Sequence, residues 1–147
     1  MIKIDYPAYN PKIKTLAGKE FIFDALRKQW TTLTPEEWVR QNFLQYLVQV
    51  KKYPSSLIAV EKEIKLADLT KRFDIVVYDY NSKPWMIIEC KEMNESLNEN
   101  VLHQALRYNL SLKGSFLVIT NGNFCYGFTG TGSTFSELEQ LPEFPVR

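Results

Sequence analysis

Three ionisable residues sit in two short apolar runs of this sequence: Asp74 in RFDIVVYD (residues 72–79), and Glu89 and Lys91 in IIECK (residues 87–91). Two carboxylates can hold a magnesium ion through oxygen atoms while leaving positions for water and a phosphate oxygen. Such an ion offsets developing charge and acidifies water. An ammonium group beside it can orient the attacking water and offset charge on a pentacovalent phosphorus. These residue types therefore suit phosphodiester hydrolysis, with Asp74 and Glu89 as metal ligands and Lys91 at the water. Structural readings compete with this one. Asp74 could pair with Arg72 or a neighbouring lysine, and Glu89-Cys90-Lys91 could end an edge strand. The apolar Trp85-Met86-Ile87-Ile88 ahead of Glu89 argues instead for a central strand, where a carboxylate without a partner is costly.

The elements around these residues must bring them together. Arg72–Tyr80 and Trp85–Cys90 are rich in β-branched and aromatic residues and read as strands, with Asn81-Ser82-Lys83-Pro84 as a reverse turn. Side chains alternate along a strand, so Glu89 and Lys91 share one face and Cys90 the other. A hairpin register placing Asp74 beside Glu89 would complete the cluster. Leu57–Leu66 alternates as a preceding strand, with Ile58, Val60, Ile64 and Leu66 on one face and Lys62 as the exception; Ala67–Thr70 is the expected turn. Upstream, Thr34 is a good N-cap, Pro35 suits the first helical position, and Glu37 sits where a capping-box carboxylate belongs. The helix is expected to run to about Lys51, its apolar stripe formed by Val39, Phe43, Tyr46, Leu47 and Val50, with Glu36 on the same stripe. Ser96 or Asn98 can cap a second helix reaching about Leu112, with Val101, Ala105, Tyr108 and Leu112 inward and Gly114 ending it. Ser115–Thr120 reads as a strand covered on both faces, and Asn121-Gly122-Asn123 turns into a last strand near Cys125–Phe128. Glu20–Asp24 reads as an early strand.

Composition sets the limits. A chain of 147 residues with 45% apolar and 24% charged residues suits a single globular domain. Its parts are an arm over residues 1–18, a principal unit over 19–130 and a tail over 131–147. Lys and Arg number 18 against 17 Asp and Glu, so any nucleic-acid contact must come from a local patch. Cys90 and Cys125 suit buried reduced thiols, and with His103 alone they make no zinc pattern. The first residues, MIKIDYPAYNPKIKTL, show neither a signal peptide nor a bilayer-spanning run, so the expectation is a cytoplasmic protein with no membrane partner.

A family resemblance adds to this reading. Residues 72–91 resemble the catalytic core of PD-(D/E)xK nucleases, with Phe73-Asp74 in place of Pro-Asp. Gln104-Ala105-Leu106-Arg107-Tyr108 is similar to the QxxxY motif of RecB-like nuclease domains and of type I restriction enzyme R subunits. Together with LTPEEWVRQ at Leu33–Gln41 and ITNG at Ile119–Gly122, these motifs resemble the N-terminal domain of those R subunits over roughly residues 20–128. The resemblance implies a restriction-endonuclease-like α/β fold, a mixed β-sheet flanked by helices in the order helix-strand-strand-strand-helix-strand. It also implies a nuclease cutting DNA with Mg²⁺ or Mn²⁺, with Asp74 and Glu89 as metal ligands, Lys91 at the water, and Gln104 and Tyr108 facing the site. A helix-borne glutamate often completes such sites, and Glu36 is preferred over Glu37 because of its stripe position. Separate motor or specificity subunits are further candidate partners, since no GxxxxGK[ST] loop appears in these residues. A homodimer is another, since double-strand cleavage by a single-site domain calls for two copies. The alternative is a catalytically silent DNA- or protein-binding module on the same fold.

Overall fold

The computed structural model describes residues 1–66, 69–109, 115–131 and 134–146. A small sheet comes first: β1 (Ile13–Leu16), β2 (Lys19–Asp24) and β3 (Gln29–Thr32) pair antiparallel in that order. The turn between β1 and β2 carries Ala17 and Gly18 at positive φ, 52° and 79°. Helix α1 (Pro35–Gln45) follows and continues as a π-helical turn over Tyr46–Val50. The second sheet holds β4 (Ile58–Leu66), β5 (Leu69–Tyr78), β6 (Pro84–Cys90), β7 (Phe116–Thr120), β8 (Cys125–Thr131) and β9 (Thr134–Glu137), adjacent in chain order. Helix α2 (Glu99–Asn109) connects β6 to the parallel β7, and the other pairings are antiparallel. The sheet is therefore mixed, and its central elements follow the expected order of helix, three strands, helix and strand. The end of the second helix at Leu112 and Gly114, and Ala67 and Asp68 of the expected turn, lie outside the described residues.

Two apolar layers hold the helices to opposite faces of this sheet. On one, Val39, Phe43 and Leu44 of α1 and Leu47 of the π-helical turn pack with Ile75, Val77, Met86, Ile88, Cys90 and Val118. On the other, Leu102, Ala105 and Leu106 of α2 cover Phe73, Val76, Ile87, Leu117 and Ile119. Strand β7 feeds both layers, Val118 one way and Leu117 and Ile119 the other, which is why its sequence is apolar throughout. Both ends of the chain add to the α1 layer through buried Ile2 and Leu141. Val50, expected on the apolar stripe, is 46% exposed. The π-helical turn explains this, because its wider spacing rotates the last residues away from the i, i+3, i+4 face.

Strand β4 departs from simple alternation. Ile58 and Val60 join the α1 layer, whereas Ile64 joins the α2 layer. Between them Glu61 adopts φ +53°, a left-handed conformation rare for a non-glycine residue. The β4–β5 ladder breaks at this point: Val60 pairs with Ile75 and Lys62 with Phe73, and the position between them is Glu61 opposite Asp74.

Candidate active site

The β5–β6 ladder pairs Val77 with Met86, Val76 with Ile87 and Ile75 with Ile88. One step further along the same register stand Asp74 and Glu89. The ladder gives way there to a side-chain contact, in which the Cys90 amide donates to Asp74 Oδ2 at 2.7 Å. Alternation in β6 has the expected result: Cys90 is buried in the α1 layer, while Glu89 and Lys91 line one cavity on the α2 side. The Lys91 amide donates to the Thr120 carbonyl at 2.8 Å, which fixes the end of β6 to β7.

That cavity also takes in Lys71, Phe73, Glu95 and, from α2, Val101, Gln104 and Ala105. The helix thus brings Gln104 to the wall that holds Glu89 and Lys91. Tyr108 lies one turn further along α2; its side chain is outside the described residues. At about 120 Å³ the space has room for an ion with several waters.

Glu89 carries the strongest electrostatic signature here. Its side chain is 14% exposed, and Lys71 Nζ lies 3.4 Å from Oε1. Oε1 is buried and accepts no hydrogen bond of good geometry. Burial, reinforced by the Asp74 carboxylate, pushes the Glu89 pKa up to about 7 against the pull of Lys71 and Lys91. Two neighbouring carboxylates, one with a buried oxygen lacking a hydrogen bond, are donors suited to a hard divalent cation. Among the described residues no group of three or more His, Cys, Asp or Glu side chains converges as a ligand set. Asp74 and Glu89 would be the residues to hold such an ion, with water in its other positions, as suits magnesium, which keeps several waters.

Asp74 faces a second, more open cavity on the α1 side, shared with Thr32, Glu36, Glu37, Arg40 and Glu61. The two first-turn glutamates of α1 divide their roles. Glu36 is exposed, and its pKa is raised by partial burial and by Asp74, while Lys91 acts the other way; it therefore stands within electrostatic reach of both. Glu37 is the one that points inward, 4% exposed. Its amide donates the N-cap bond to Thr34 Oγ1 at 3.0 Å, but its carboxylate does not turn back to close a capping box. It accepts instead from Arg40 Nε at 2.9 Å and from Arg40 Nη2.

Arg40 was not among the residues expected at the site. Its Nη1 lies 3.5 Å from Asp74 Oδ1, and its Nη2 lies 3.5 Å from Glu61 Oε1. Gln41 Nε2 donates to both Glu37 Oε2 and Asp24 Oδ2 at 3.0 Å, and Arg27 bridges Asp24 and Glu61 at 2.7 and 3.1 Å. A buried polar network thus runs from the small sheet through α1 to Asp74. Lys71, also absent from the expected site residues, is the ion-pair partner of Glu89. The i, i+3 spacing of Glu37 and Arg40 on a helix with a buried face was the signal available for the first of these.

The ITNG run organises the far side of the site. Asn121, 3% exposed, accepts from the Asn123 and Phe124 amides and donates Nδ2 to the Glu95 carbonyl at 2.9 Å. It thereby ties the segment after Lys91 to the β7–β8 turn. Gly122 takes φ +92°, and a Cβ there would lie 3.4 Å from both Met93 and Val39. Cys90 and Cys125 are buried and unbridged. No described helix is long and apolar enough to cross a membrane.

The family model of the type I restriction enzyme R protein N terminus matches residues 35–145, from the start of α1 into the C-terminal segment, with the three-stranded sheet lying ahead of the match. No curated protein matches the chain. The match covers most of the 147 residues and includes every strand of the larger sheet, so the chain belongs to the family of the type I restriction enzyme R protein N terminus.

Proposed function

We propose that this chain is a metal-dependent nuclease of the PD-(D/E)xK type that hydrolyses DNA phosphodiester bonds by direct attack of water. The observation that carries the reading is the juxtaposition of the Asp74 and Glu89 carboxylates just past the end of the β5–β6 ladder at Ile75–Ile88, close enough for Asp74 to raise the Glu89 pKa, with Glu89 presenting a buried oxygen that lacks a hydrogen bond. In this reading Asp74 and Glu89 hold Mg²⁺ or Mn²⁺. When bound, the cation supplies Lewis acidity that offsets charge at the phosphate and acidifies water. Lys91 orients the attacking water and meets the phosphate as a point charge. Gln104 on the cavity wall, with Tyr108 one turn along, helps to position water and phosphate. Glu36, on the open side, orients water on the Asp74 flank. Arg40 holds Asp74 in place while Glu37 anchors Arg40.

Partners follow from the same reading: DNA as substrate, separate motor or specificity subunits, and a second copy wherever both strands are cut. A second reading has one observation in its favour. Lys71 and Arg40 each set a cation beside one of the two carboxylates, at 3.4 and 3.5 Å, an arrangement that also suits a silent binding module. Plasmid cleavage separates the two. The nuclease reading expects nicking or linearisation that requires Mg²⁺ or Mn²⁺ and is abolished in Asp74→Ala and Lys91→Ala. DNA binding that persists in both variants, with no cleavage by the wild type under either metal, establishes the module.

A further inference from the structure

The small sheet has two unlike faces. Ile22, Asp24 and Thr31 turn inward: Ile22 and Asp24 are fully buried, and Thr31 Oγ1 donates to Glu37 at 3.4 Å. The opposite face follows from the register, which pairs Lys14 with Phe21, Phe21 with Thr32, Phe23 with Trp30 and Leu16 with Lys19. The Phe23 amide donates to the Lys12 carbonyl and extends the same row to Lys12. Three lysines and three aromatic rings therefore share one outward surface, and among the described residues no carboxylate occupies a register position on it.

The side chains on this surface are organised. Lys14 Nζ lies 4.3 Å from the Trp30 ring centroid, Lys12 Nζ lies 5.7 Å from that of Phe23, and Phe23 meets Trp30 edge to face at 5.3 Å. Trp30 remains 39% exposed and Leu16 58%. A chain of net charge +1 thus concentrates positive charge on one small patch, together with flat π surfaces. Lysines meet phosphates, and exposed rings stack with unpaired bases, so the chemistry matches a single strand of nucleic acid. A duplex keeps its bases stacked and offers the rings nothing. An acidic polypeptide would meet the lysines but would not use the rings.

The position of the face is as informative as its composition. Thr32, at the end of β3, belongs both to this surface and to the wall of the cavity that holds Asp74. The face and the α1-side cavity therefore adjoin at Thr32. We propose that the outward face of β1–β3 is a platform for single-stranded nucleic acid that leads into the Asp74 cavity; its connection to cleavage rests on the nuclease reading above, whereas the binding itself does not.

The test is binding of a labelled oligodeoxythymidylate to the full chain in chelator, followed by anisotropy across a salt series. Trp30→Ala is expected to weaken binding about 5- to 150-fold. The pair Lys12→Gln and Lys14→Gln is expected to lower the slope of log affinity against log salt by about 1.4. Lys83→Gln, in the exposed β5–β6 turn, serves as the control and binds as the wild type does. Thermal melts establish that each variant folds, and Trp30→Leu replaces Trp30→Ala if the latter does not. Variants that bind like the wild type overturn the proposal. So does a duplex of equal length that binds more tightly, or polyglutamate that displaces the oligonucleotide. Plasmid cleavage run in parallel separates the two claims. Trp30-dependent binding without cleavage by any metal leaves the platform standing and removes the nuclease reading; cleavage with Trp30-independent binding does the reverse.

Discussion

Glu37→Gln tests whether the network behind Asp74 is a structural necessity. Glu37 is 4% exposed and the Arg40 side chain 8% exposed, so this ion pair lies away from solvent. The carboxylate accepts from Arg40 Nε at 2.9 Å, from Gln41 Nε2 at 3.0 Å and from Thr31 Oγ1 at 3.4 Å, as well as from Arg40 Nη2. The substitution keeps the volume but removes the charge, and it turns an amide NH₂ toward donors that need an acceptor. Breaking a buried pair from one side costs about 3–5 kcal/mol, because the remaining charge is left in the interior. Glu61 and Asp74, each 3.5 Å from Arg40, offset part of that loss, which sets the expectation near about 3 kcal/mol. For a chain of this size that lowers Tm by roughly 6–12 °C. Urea unfolding is the assay, with the midpoint shifting and the m-value unchanged. Arg40→Met completes a cycle: the double variant should cost less than the sum of the two singles, since no orphaned charge remains. A loss under about 1 kcal/mol, as for an exposed pair, or strictly additive singles, would refute the reasoning.

Glu89 sets a pH dependence in the metal-free protein. Its folded pKa of about 7 lies above the usual 4.5, so folding favours the protonated acid. Stability should therefore fall as pH rises from 4.5 to about 7, by about 3 kcal/mol at most, and stay lower above that window. Glu89→Gln should flatten this slope in denaturation curves collected across the window; an unchanged slope would assign it to another group. Gly122→Ala forces a Cβ into a positive-φ position 3.4 Å from Met93 and Val39, and should cost about 1–2 kcal/mol in urea unfolding. Equal or greater stability in that variant would mean that the turn relaxes.

The parts of the fold that rest on local pattern were legible in the sequence. Thr34-Pro35 marked the start of α1, the β-branched runs marked β5 and β6, and the wholly apolar Phe116–Ile119 announced a strand covered on both sides. The same holds for the shared face of Glu89 and Lys91, because alternation is a backbone property. What escaped depends on residues far apart in sequence. Strand β3 carries Gln29 and two threonines, with little apolar signal of its own, and is held by pairing with β2. The rotation of α1 was set by its capping pattern to within one residue, and one residue is what separates exposed Glu36 from buried Glu37. For Arg40 the sequence offered only its i, i+3 spacing from Glu37, because its other partners, Glu61 and Asp74, come from β4 and β5. Glu61 itself breaks alternation through a left-handed backbone that residue type does not announce.

The most direct measurement of the central claim is a crystal of this chain soaked in Mn²⁺, with the ion located by its anomalous scattering. The account predicts one ion between Asp74 and Glu89, roughly 2.0–2.2 Å from a carboxylate oxygen of each, and no ion at that position in Asp74→Asn. Asp74→Asn retains an oxygen acceptor for the Cys90 amide, so the fold survives and the comparison is fair. At saturating Mn²⁺, the account is contradicted by a wild-type site in which Lys71 and Arg40 still flank the two carboxylates with no ion between them.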